Sequence, residues 1–441
     1  MKKSLLILVT LFIVTIGYSQ TFTDNYITYG VTSTSNNTVY ASDYDASGGT
    51  VVNIPATVAY SGTTYSVTLI GSNAFKNKGL TSVTMANNIT SIYPNSFRDN
   101  AITSLTLSDN VISIGSAAFI NNQLTSVTLP NGLTNITLGS FANNLLTTIT
   151  IPDNVTSIDQ SAFAGNQLQN VTIGTSVTTI GVQAFYNNVL SSVVIPDNVT
   201  SIGTNAFTNN QLTSVIIPDA VTSIGDSAFS NNQLTSVVIP NNVTSIGDNA
   251  FVSNNLATVV FGNNVTTIGH AAFGSNNLTN ITLPSSVTNI ATIAFINNPL
   301  TSVTSLATIP PNIATGGSTD TFGNYVLRSD INLTIPTGTT SVYATDTGAL
   351  WTGFKTVNGV VLGVADFELT DNLKVITTTD KIKVSFSNNI RLQNYTLYNI
   401  TGIEVVKGKE REIPTTYLAK GIYILKLDFD KGTVVKKVAV N

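Results

Sequence analysis

The chain has 441 residues, of which only 10% are charged, 19 of them basic and 23 acidic. Soluble proteins usually carry about 25% charged residues. The scarcity of Lys and Arg excludes a nucleic-acid-binding protein, which needs clustered basic side chains to neutralise phosphates. There is no cysteine, and His270 is the one histidine, so disulfides, thiol chemistry and the usual zinc sites are excluded as well.

Residues 1–19 have the pattern of a secretory signal peptide. Two lysines precede an apolar run over 5–16, and the small residues Gly17 and Ser19 occupy positions −3 and −1 of a cleavage site. The run is about half of the ~20 residues that a membrane-spanning helix needs. We therefore expect an exported mature chain that starts at Gln20 and has no transmembrane segment.

Residues 20–65 are predicted to form an N-terminal cap, because they are rich in strand-forming residues separated by glycine turns. Within them Asp43 and Asp45 resemble the start of a calcium loop. The later ligands and the closing Glu of such a loop are missing. A turn in the cap is the preferred interpretation, and no metal or cofactor is expected.

Residues 66–305 repeat every 22 residues without an insertion. Asn follows the marker phenylalanine by three positions in ten of eleven copies, and Ile follows it by seventeen at all ten positions from Ile92 to Ile290. A fixed period of this kind indicates stacked units that contact only their neighbours. The marker residues are Phe75, Phe97, Phe119, Phe141, Phe163, Phe185, Phe207, Phe229, Phe251, Phe273 and Phe295.

One clean copy, "LTSVIIPDAVTSIGDSAFSNNQ", covers 212–233. Its alternating start predicts a strand that ends at Pro218, which has no N–H for a ladder. "VTSI" predicts a second short extended piece, and "GDSAFSNN" a tight helical turn that carries the Phe inward. The Phe column is expected to form an aromatic spine, and the Asn column a buried amide ladder that satisfies backbone groups of the turns.

The pattern L-x-x-V-x-I-P-x-x-V-x-x-I-G-x-x-A-F-x-x-N resembles the leucine-rich repeats of the BspA (Treponema-type) class over about 66–305. That class typically has about 23 residues per repeat and often has Cys where this chain has Asn. The resemblance implies a mainly β protein with a parallel leucine-rich-repeat solenoid of eleven copies plus caps. Residues 333–354, which hold Tyr343, Trp351 and Phe354, resemble the closing segment of the same family, and residues 306–362 are predicted to be the C-terminal cap of the solenoid.

Residues 366–441 are predicted to be a separate module. They carry 12 basic and 9 acidic residues, whereas 20–365 carry 5 basic and 14 acidic residues. Alternating segments predict a small antiparallel β-sandwich. The phrases "LYNITGIEVV", "YLAKGIYILKL" and "VVKKVAVN" resemble the C-terminal sorting domain of type IX secretion cargo. The resemblance implies that the type IX machinery is a partner and that the chain passes across the outer membrane. It also implies subsequent cleavage, with attachment to the cell surface or release. The alternative is an ordinary β-sandwich that binds another molecule.

Catalytic groups do not cluster in the sequence. His270 lies in a column that also holds Ser, Pro, Gln, Asp and Thr, so we interpret it as an exposed loop residue and a poor general base. An acidic column after the strand is interpreted as Asx-turns, since Asn and Thr share it; its members are Asp109, Asp153, Asp197 and Asp219. We expect a protein that is not an enzyme.

The outward strand position nine residues after each Phe is the most informative surface column. It is mostly Thr, but four consecutive copies have Val or Ile, which gives a stripe about 15 Å long at ~4.8 Å per strand. An apolar stripe rimmed by hydroxyl groups favours a contact site, although free exchange of near-isosteric Val and Thr is the alternative. The candidate partner-binding residues are Thr150, Thr172, Val194, Ile216, Val238, Val260 and Thr282.

The leading hypothesis is a secreted or surface-attached interaction protein whose partner is an extracellular or cell-surface protein. Glycan binding is an alternative, although the strand face lacks the aromatic platforms that sugars need. Binding of a regular surface such as ice through the Thr files is another, and it requires a straight solenoid.

Overall fold

The structure, a computed structural model, describes residues 20–315, 317–323, 327–345, 347–360, 373–378, 380–386, 391–400, 402–430 and 432–440. The chain is mainly β, a parallel solenoid of about 13 turns followed by antiparallel sheets, which confirms the predicted fold class. The predicted signal peptide at 1–19 and the first residues of the predicted tail module, 366–372, lie outside the described residues.

The N-terminal segment adds antiparallel strands to the start of the solenoid. A short 3-10 turn, Ala46–Gly48, interrupts it. The first three strands form an antiparallel meander, and the sixth strand pairs in parallel with the third and with the short strand of the first repeat. The strands are β1 (Thr21–Asp24), β2 (Ile27–Ser33), β3 (Thr38–Tyr44), β4 (Val51–Ile54), β5 (Thr57–Tyr60) and β6 (Thr63–Ile70).

Each repeat contributes a two-residue strand, and most repeats also contribute a longer strand on a different side of the turn. The longer strands are β7 (Ser82–Met85), β9 (Ser104–Thr106), β12 (Thr148–Thr150), β14 (Asn170–Thr172), β18 (Ser236–Val238), β20 (Thr258–Val260), β22 (Asn280–Leu283) and β24 (Ser302–Ser305). The short strands are β8 (Ser91–Ile92), β10 (Ser113–Ile114), β11 (Asn135–Ile136), β13 (Ser157–Ile158), β15 (Thr179–Ile180), β16 (Ser201–Ile202), β17 (Ser223–Ile224), β19 (Ser245–Ile246), β21 (Thr267–Ile268), β23 (Asn289–Ile290) and β25 (Asn312–Ile313).

The two sides differ in the continuity of their hydrogen bonds. The short strands from β11 to β25 form one nine-stranded parallel sheet. The longer strands form separate small sheets, because the segments 126–129, 192–195 and 214–217 have no strand pairing. Bonding between these repeats persists only near the start of the segment, as in Thr213 N–H to Ser191 O at 3.3 Å. The longer-strand side is therefore an extended but interrupted face.

The segment around each Phe is not the helical turn that the sequence predicts. Ser227 and Asn231 have left-handed φ angles of 55° and 51°. The N–H groups of Ser227, Phe229 and Asn231 donate to carbonyls of the next repeat at 2.7–2.9 Å, while Ala228 N–H bonds back to Gly225 O at 3.2 Å. In a helical turn these N–H groups would donate within the turn. In the observed conformation every second N–H group donates to the next repeat instead.

The core confirms both predicted columns. The Phe rings stack from Phe75 to Phe322 with centroids 4.9–5.9 Å apart and interplanar angles of at most 10°. In the Asn column, Asn210 Oδ1 accepts from Leu190 N–H at 3.0 Å, and its Nδ2 donates to the carbonyl of Phe185 at 3.0 Å and that of Phe207 at 3.1 Å. Each side-chain amide thus joins two repeats in the buried interior.

The closing segment ends the spine with a different aromatic cluster. Phe322 packs against Trp351, whose Nε1 donates to Pro311 O at 2.8 Å. A buried ion pair, Arg328 Nε to Asp320 Oδ2 at 2.8 Å, holds the same region. The elements here are 3-10 turns at Gly317–Thr319 and Arg328–Asp330, a π-helical turn at Ser341–Thr345, and strands β26 (Asn332–Pro336) and β27 (Thr356–Val360).

The C-terminal module has two antiparallel sheets around a core of its own. The sheets have the orders β28-β29-β32 and β31-β30-β33-β34. Its buried apolar residues, from Ile382 to Val440, form a cluster distinct from that of the solenoid, which ends at Trp351. The strands are β28 (Lys374–Thr377), β29 (Lys381–Ser385), β30 (Leu392–Asn399), β31 (Glu404–Gly408), β32 (Glu412–Pro414), β33 (Gly421–Phe429) and β34 (Gly432–Val440).

Candidate binding face

The four apolar residues of the ninth column form a surface row that we call the apolar stripe: Val194, Ile216, Val238 and Val260. Val194 is 78% exposed and Val260 is 38% exposed, whereas Ile216 and Val238 are half-buried. The strand alternation explains their direction, because the residue before each of them points into the core. The three Thr of the same column that flank the stripe are exposed: Thr150, Thr172 and Thr282.

The stripe spans a regular part and an interrupted part of the face. Val238 of β18 and Val260 of β20 lie opposite each other in a parallel pair. Val194 and Ile216 lie on segments without strand pairing. The sequence did not indicate this difference, because "SSVVIP" around Val194 and "TSVVIP" around Val238 are almost identical.

Hydroxyl-bearing residues border the stripe. The position six residues after each Phe is exposed in all eleven repeats and includes Ser191, Thr213 and Thr235. At the other end of the strands the acidic column follows the proline turn. Asp153 Oδ1 accepts from Thr175 N–H at 2.8 Å and from Thr175 Oγ1 at 3.2 Å. This carboxylate therefore bridges to the next repeat, which corrects the predicted Asx-turn there, because the stacked Thr175 amide lies within its reach.

The face carries very little charge. No Lys or Arg occurs between Arg98 and Arg328. The sequence of the stripe and its hydroxyl border contains no ionisable side chain, so contacts there rest on apolar burial and neutral hydrogen bonds.

The histidine and the two aspartates that could have served in catalysis or calcium binding make structural contacts instead. His270 is exposed, and its Nδ1 lies 2.6 Å from Thr292 Oγ1. Asp43 pairs with Lys78 at 2.9 Å. Asp45 caps the first 3-10 turn, and the hydrogen bond from Ser47 N–H lowers the pKa of its carboxyl. Among the described residues, no three His, Cys, Asp or Glu side chains lie close enough together to hold a metal ion, and none of the helices described is long and apolar enough to cross a bilayer.

The structure adds residues to this face that sequence reasoning missed. Ile400 and Ile424 of the C-terminal module line a cleft whose other wall contains Ile216 and Val238. The contrast in charge between the two parts of the chain is the sequence feature that could have indicated a contact between them. The repeat pattern does not indicate where on the solenoid the module lies.

Comparison with known proteins agrees with the geometry. The BspA type leucine rich repeat region matches in six copies over 68–191 and 178–302, more than half of the chain. The chain belongs to the BspA-type leucine-rich repeat family. A second match, the secretion system C-terminal sorting domain, covers 378–441. This BspA-type chain is thus handled by type IX secretion and delivered to the cell surface or released.

Solved structures of bacterial leucine-rich proteins are similar to this chain over most of its length. A leucine rich cell surface protein from Faecalibacterium prausnitzii is 24% identical, with 78% of this chain and 95% of that chain covered and a TM-score of 0.46. A leucine-rich repeat protein from Bacteroides ovatus is 24% identical, with 77% and 76% covered and a TM-score of 0.45. The pneumococcal vaccine antigen PcpA is 17% identical, with 78% and 99% covered and a TM-score of 0.46. None of the curated proteins matches this BspA-type chain.

BspA-type repeat families are typically non-enzymatic, and the family indicates protein–protein interaction or adhesion.

Proposed function

We propose that the protein is a non-enzymatic surface or secreted adhesin that binds an extracellular protein through the apolar stripe and its hydroxyl border. The observation that carries the proposal is a row of four apolar side chains on the outer side of a stacked scaffold, with Val194 78% exposed. Exposed apolar rows with a polar rim are the usual signature of protein contact surfaces.

The chemistry of the face favours a protein over the other surfaces. The described strand face has no aromatic side chain in the ninth column on which a sugar ring could stack. The Thr file of the ninth column is interrupted by the four apolar residues of the stripe, so it does not offer a continuous array of hydroxyl groups to a lattice such as ice. A protein surface needs neither feature.

The test compares two double variants of chain 20–360, which lacks the C-terminal module. Ile216→Asp with Val238→Asp places two charges in the stripe, and Thr84→Asp with Thr106→Asp places them in the same column of the first repeats, away from the stripe. Each protein is applied to plates coated with a panel of extracellular proteins, to insoluble cellulose and chitin, and to ice in a thermal-hysteresis assay.

Burying a Val or Ile side chain contributes roughly 1.5–3 kcal/mol, so the stripe variant is expected to lose at least about tenfold in affinity for a coated protein. The control variant keeps its binding. Equal binding by both variants would refute the assignment of the face, and binding to a polysaccharide or thermal hysteresis alone would replace the protein partner with that surface.

A further inference from the structure

The C-terminal module lies over the same face that the proposed function uses. A cleft of ≈ 1090 Å³ separates the two parts, with Ile216, Val238 and Val260 on the solenoid wall and Ile422 and Ile424 on the module wall. The stripe is therefore not open to solvent along its whole length, and its two central members are half-buried while Val194 at its end is 78% exposed.

The module presents an unusual outer surface towards the solenoid. Along β33 the inward residues Tyr423, Leu425 and Leu427 are buried in the core of the module. The alternating outward positions include Ile422 and Ile424, which are half-buried and line the cleft. The outward positions of an antiparallel sheet are normally occupied by polar residues. The isoleucines at these positions give this face the composition of a contact surface.

The module approaches the solenoid closely at two places. Lys437 Nζ lies 3.2 Å from Asp197 Oδ1. At the tip of the β30–β31 hairpin, Gly402 approaches Ser236 so closely that a Cβ placed on the glycine would lie 3.5 Å from Ser236 Cβ and 2.9 Å from its Oγ. Ser236 begins β18, the strand that carries Val238, so the hairpin tip touches the strand that supports the stripe.

The charges of the two parts are complementary. The sequence from 20 to 365 has an excess of acidic residues, and that from 366 to 441 has an excess of basic residues. On the module side, the cleft is lined by three lysines and one acidic residue, and on the solenoid side by Asp219; the module residues are Lys426, Lys436, Lys437 and Asp430. Long-range attraction of this sign favours the observed face-to-face arrangement.

The contact is separable from folding. The two parts have distinct hydrophobic clusters that share no residue, and the cleft between them is not closed by packing. Loss of the module therefore leaves the core of the solenoid intact and exposes the stripe.

We propose that the C-terminal sorting domain docks in cis on the apolar stripe and keeps this face covered until the domain is removed. The docking itself stands on the contacts above, and its consequence for binding rests on the proposed function of the stripe. The molecule that occupies the apolar stripe is this chain's own C-terminal module and no other protein.

The natural absence of cysteine makes cross-linking a clean test of docking. Ser236→Cys with Gly402→Cys should form a disulfide, because the Cβ separation lies at the short end of the roughly 3.5–4.5 Å that disulfides use. Gly402 has a φ of 79°, which a cysteine adopts with strain. A second pair avoids this strain: Asp197→Cys with Lys437→Cys, joined by a short bis-maleimide.

Matched controls place the solenoid cysteine in the same column of a distant repeat. Ser104→Cys pairs with Gly402→Cys, and Asp109→Cys pairs with Lys437→Cys; the second shift is four repeats, or about 19 Å at ~4.8 Å per repeat. In dilute chain 20–441, the designed pairs are expected to cross-link at least about tenfold faster than the controls. Equal rates, or no product from either designed pair in folded protein, would overturn the docking.

Hydrogen exchange tests the covering without any partner. Amides in 214–218 and 236–240 should take up deuterium at least about threefold more slowly in chain 20–441 than in chain 20–360, whereas 104–107 should be unchanged. Identical uptake in both chains would overturn the covering even if the cross-links form.

Binding to the coated extracellular protein then separates the two proposals. The oxidised Ser236→Cys/Gly402→Cys chain should bind at least about tenfold more weakly than the reduced chain. Unchanged binding would refute the mask and leave the adhesin proposal intact. Absence of binding by chain 20–360 would instead refute the adhesin proposal and leave the docking to be decided by cross-linking and exchange.

Discussion

The buried asparagine ladder makes the strongest prediction about stability. In the described structure, Asn232 Oδ1 accepts from Leu212 N–H at 3.0 Å. Its Nδ2 donates to the carbonyls of Phe207 at 2.9 Å, Phe229 at 3.2 Å and Ser230 at 3.2 Å. Asn232→Ala removes all four interactions at once, in the middle of the solenoid.

The magnitude follows from what each partner loses. The Leu212 amide has no other bond among the described contacts, and an unsatisfied buried N–H costs about 1–3 kcal/mol. The Phe207 carbonyl still accepts from Asn210, and the Phe229 carbonyl from Asn254, so these groups lose only one of two bonds. With about 0.5–1.5 kcal/mol for each of those two bonds, the variant should lose about 2–6 kcal/mol.

The assay is urea denaturation of chain 20–360 followed by circular dichroism. The control is Asn242→Ala, because Asn242 is exposed and makes one bond, to Asp219 O at 2.7 Å. We expect the control to lose less than about 1 kcal/mol. If the two variants differ by less than about 0.5 kcal/mol, the ladder is not a source of stability and the reasoning fails.

Three further predictions concern the spine and the closing segment. Phe207→Ala removes a ring that stacks on both neighbours and should cost about 3–5 kcal/mol, measured by the same urea titration. Arg328→Ala removes the ion pair with the largely buried Asp320 carboxylate and should cost up to about 3–5 kcal/mol; limited proteolysis should then cut within the closing segment first, and an unchanged cleavage pattern would contradict this. Burial raises the pKa of Tyr343 to about 12, so the tyrosine loses its proton at lower pH in the unfolded state than in the folded state. The free energy of unfolding should therefore fall as the pH rises from 10 to 12, by at most about 1.4 kcal/mol per pH unit. A chain with Tyr343→Phe should show a smaller fall, and an identical pH profile would refute this role.

The regular core could be predicted from the sequence because every repeat solves the same packing problem. Phe207 and Asn210 recur at fixed spacing, so a single physical interpretation applies to each copy. The end of the spine at Phe322 and Trp351 could not be predicted in the same way, since Phe322 falls outside the 22-residue period and its stacking depends on the fold of the closing segment.

The turn conformation escaped prediction because no residue type marks it. The left-handed positions are occupied by Asn in many repeats, but also by Gln183, Ala271 and Ile293. Inter-repeat hydrogen bonds stabilise the conformation there regardless of local preference. A single copy of the sequence therefore indicated a helical turn, while the stacked array selects left-handed residues four positions apart in each turn.

The candidate face was only partly predictable. Alternation along the strand gave the outward direction of Val194 and Val260, because that depends on neighbours in the same repeat. The position of the C-terminal module over Ile216 and Val238 depends on contacts between residues more than one hundred and fifty positions apart, such as Asp197 with Lys437, and the repeat period does not encode such contacts.

The most direct test measures binding of three proteins to the same plate coated with an extracellular protein: chain 20–441, chain 20–360, and chain 20–360 with Ile216→Asp. The account predicts strong binding by the second protein, and at least about tenfold weaker binding by the other two, because one has a covered stripe and the other a charged one. Equal binding by all three would contradict it.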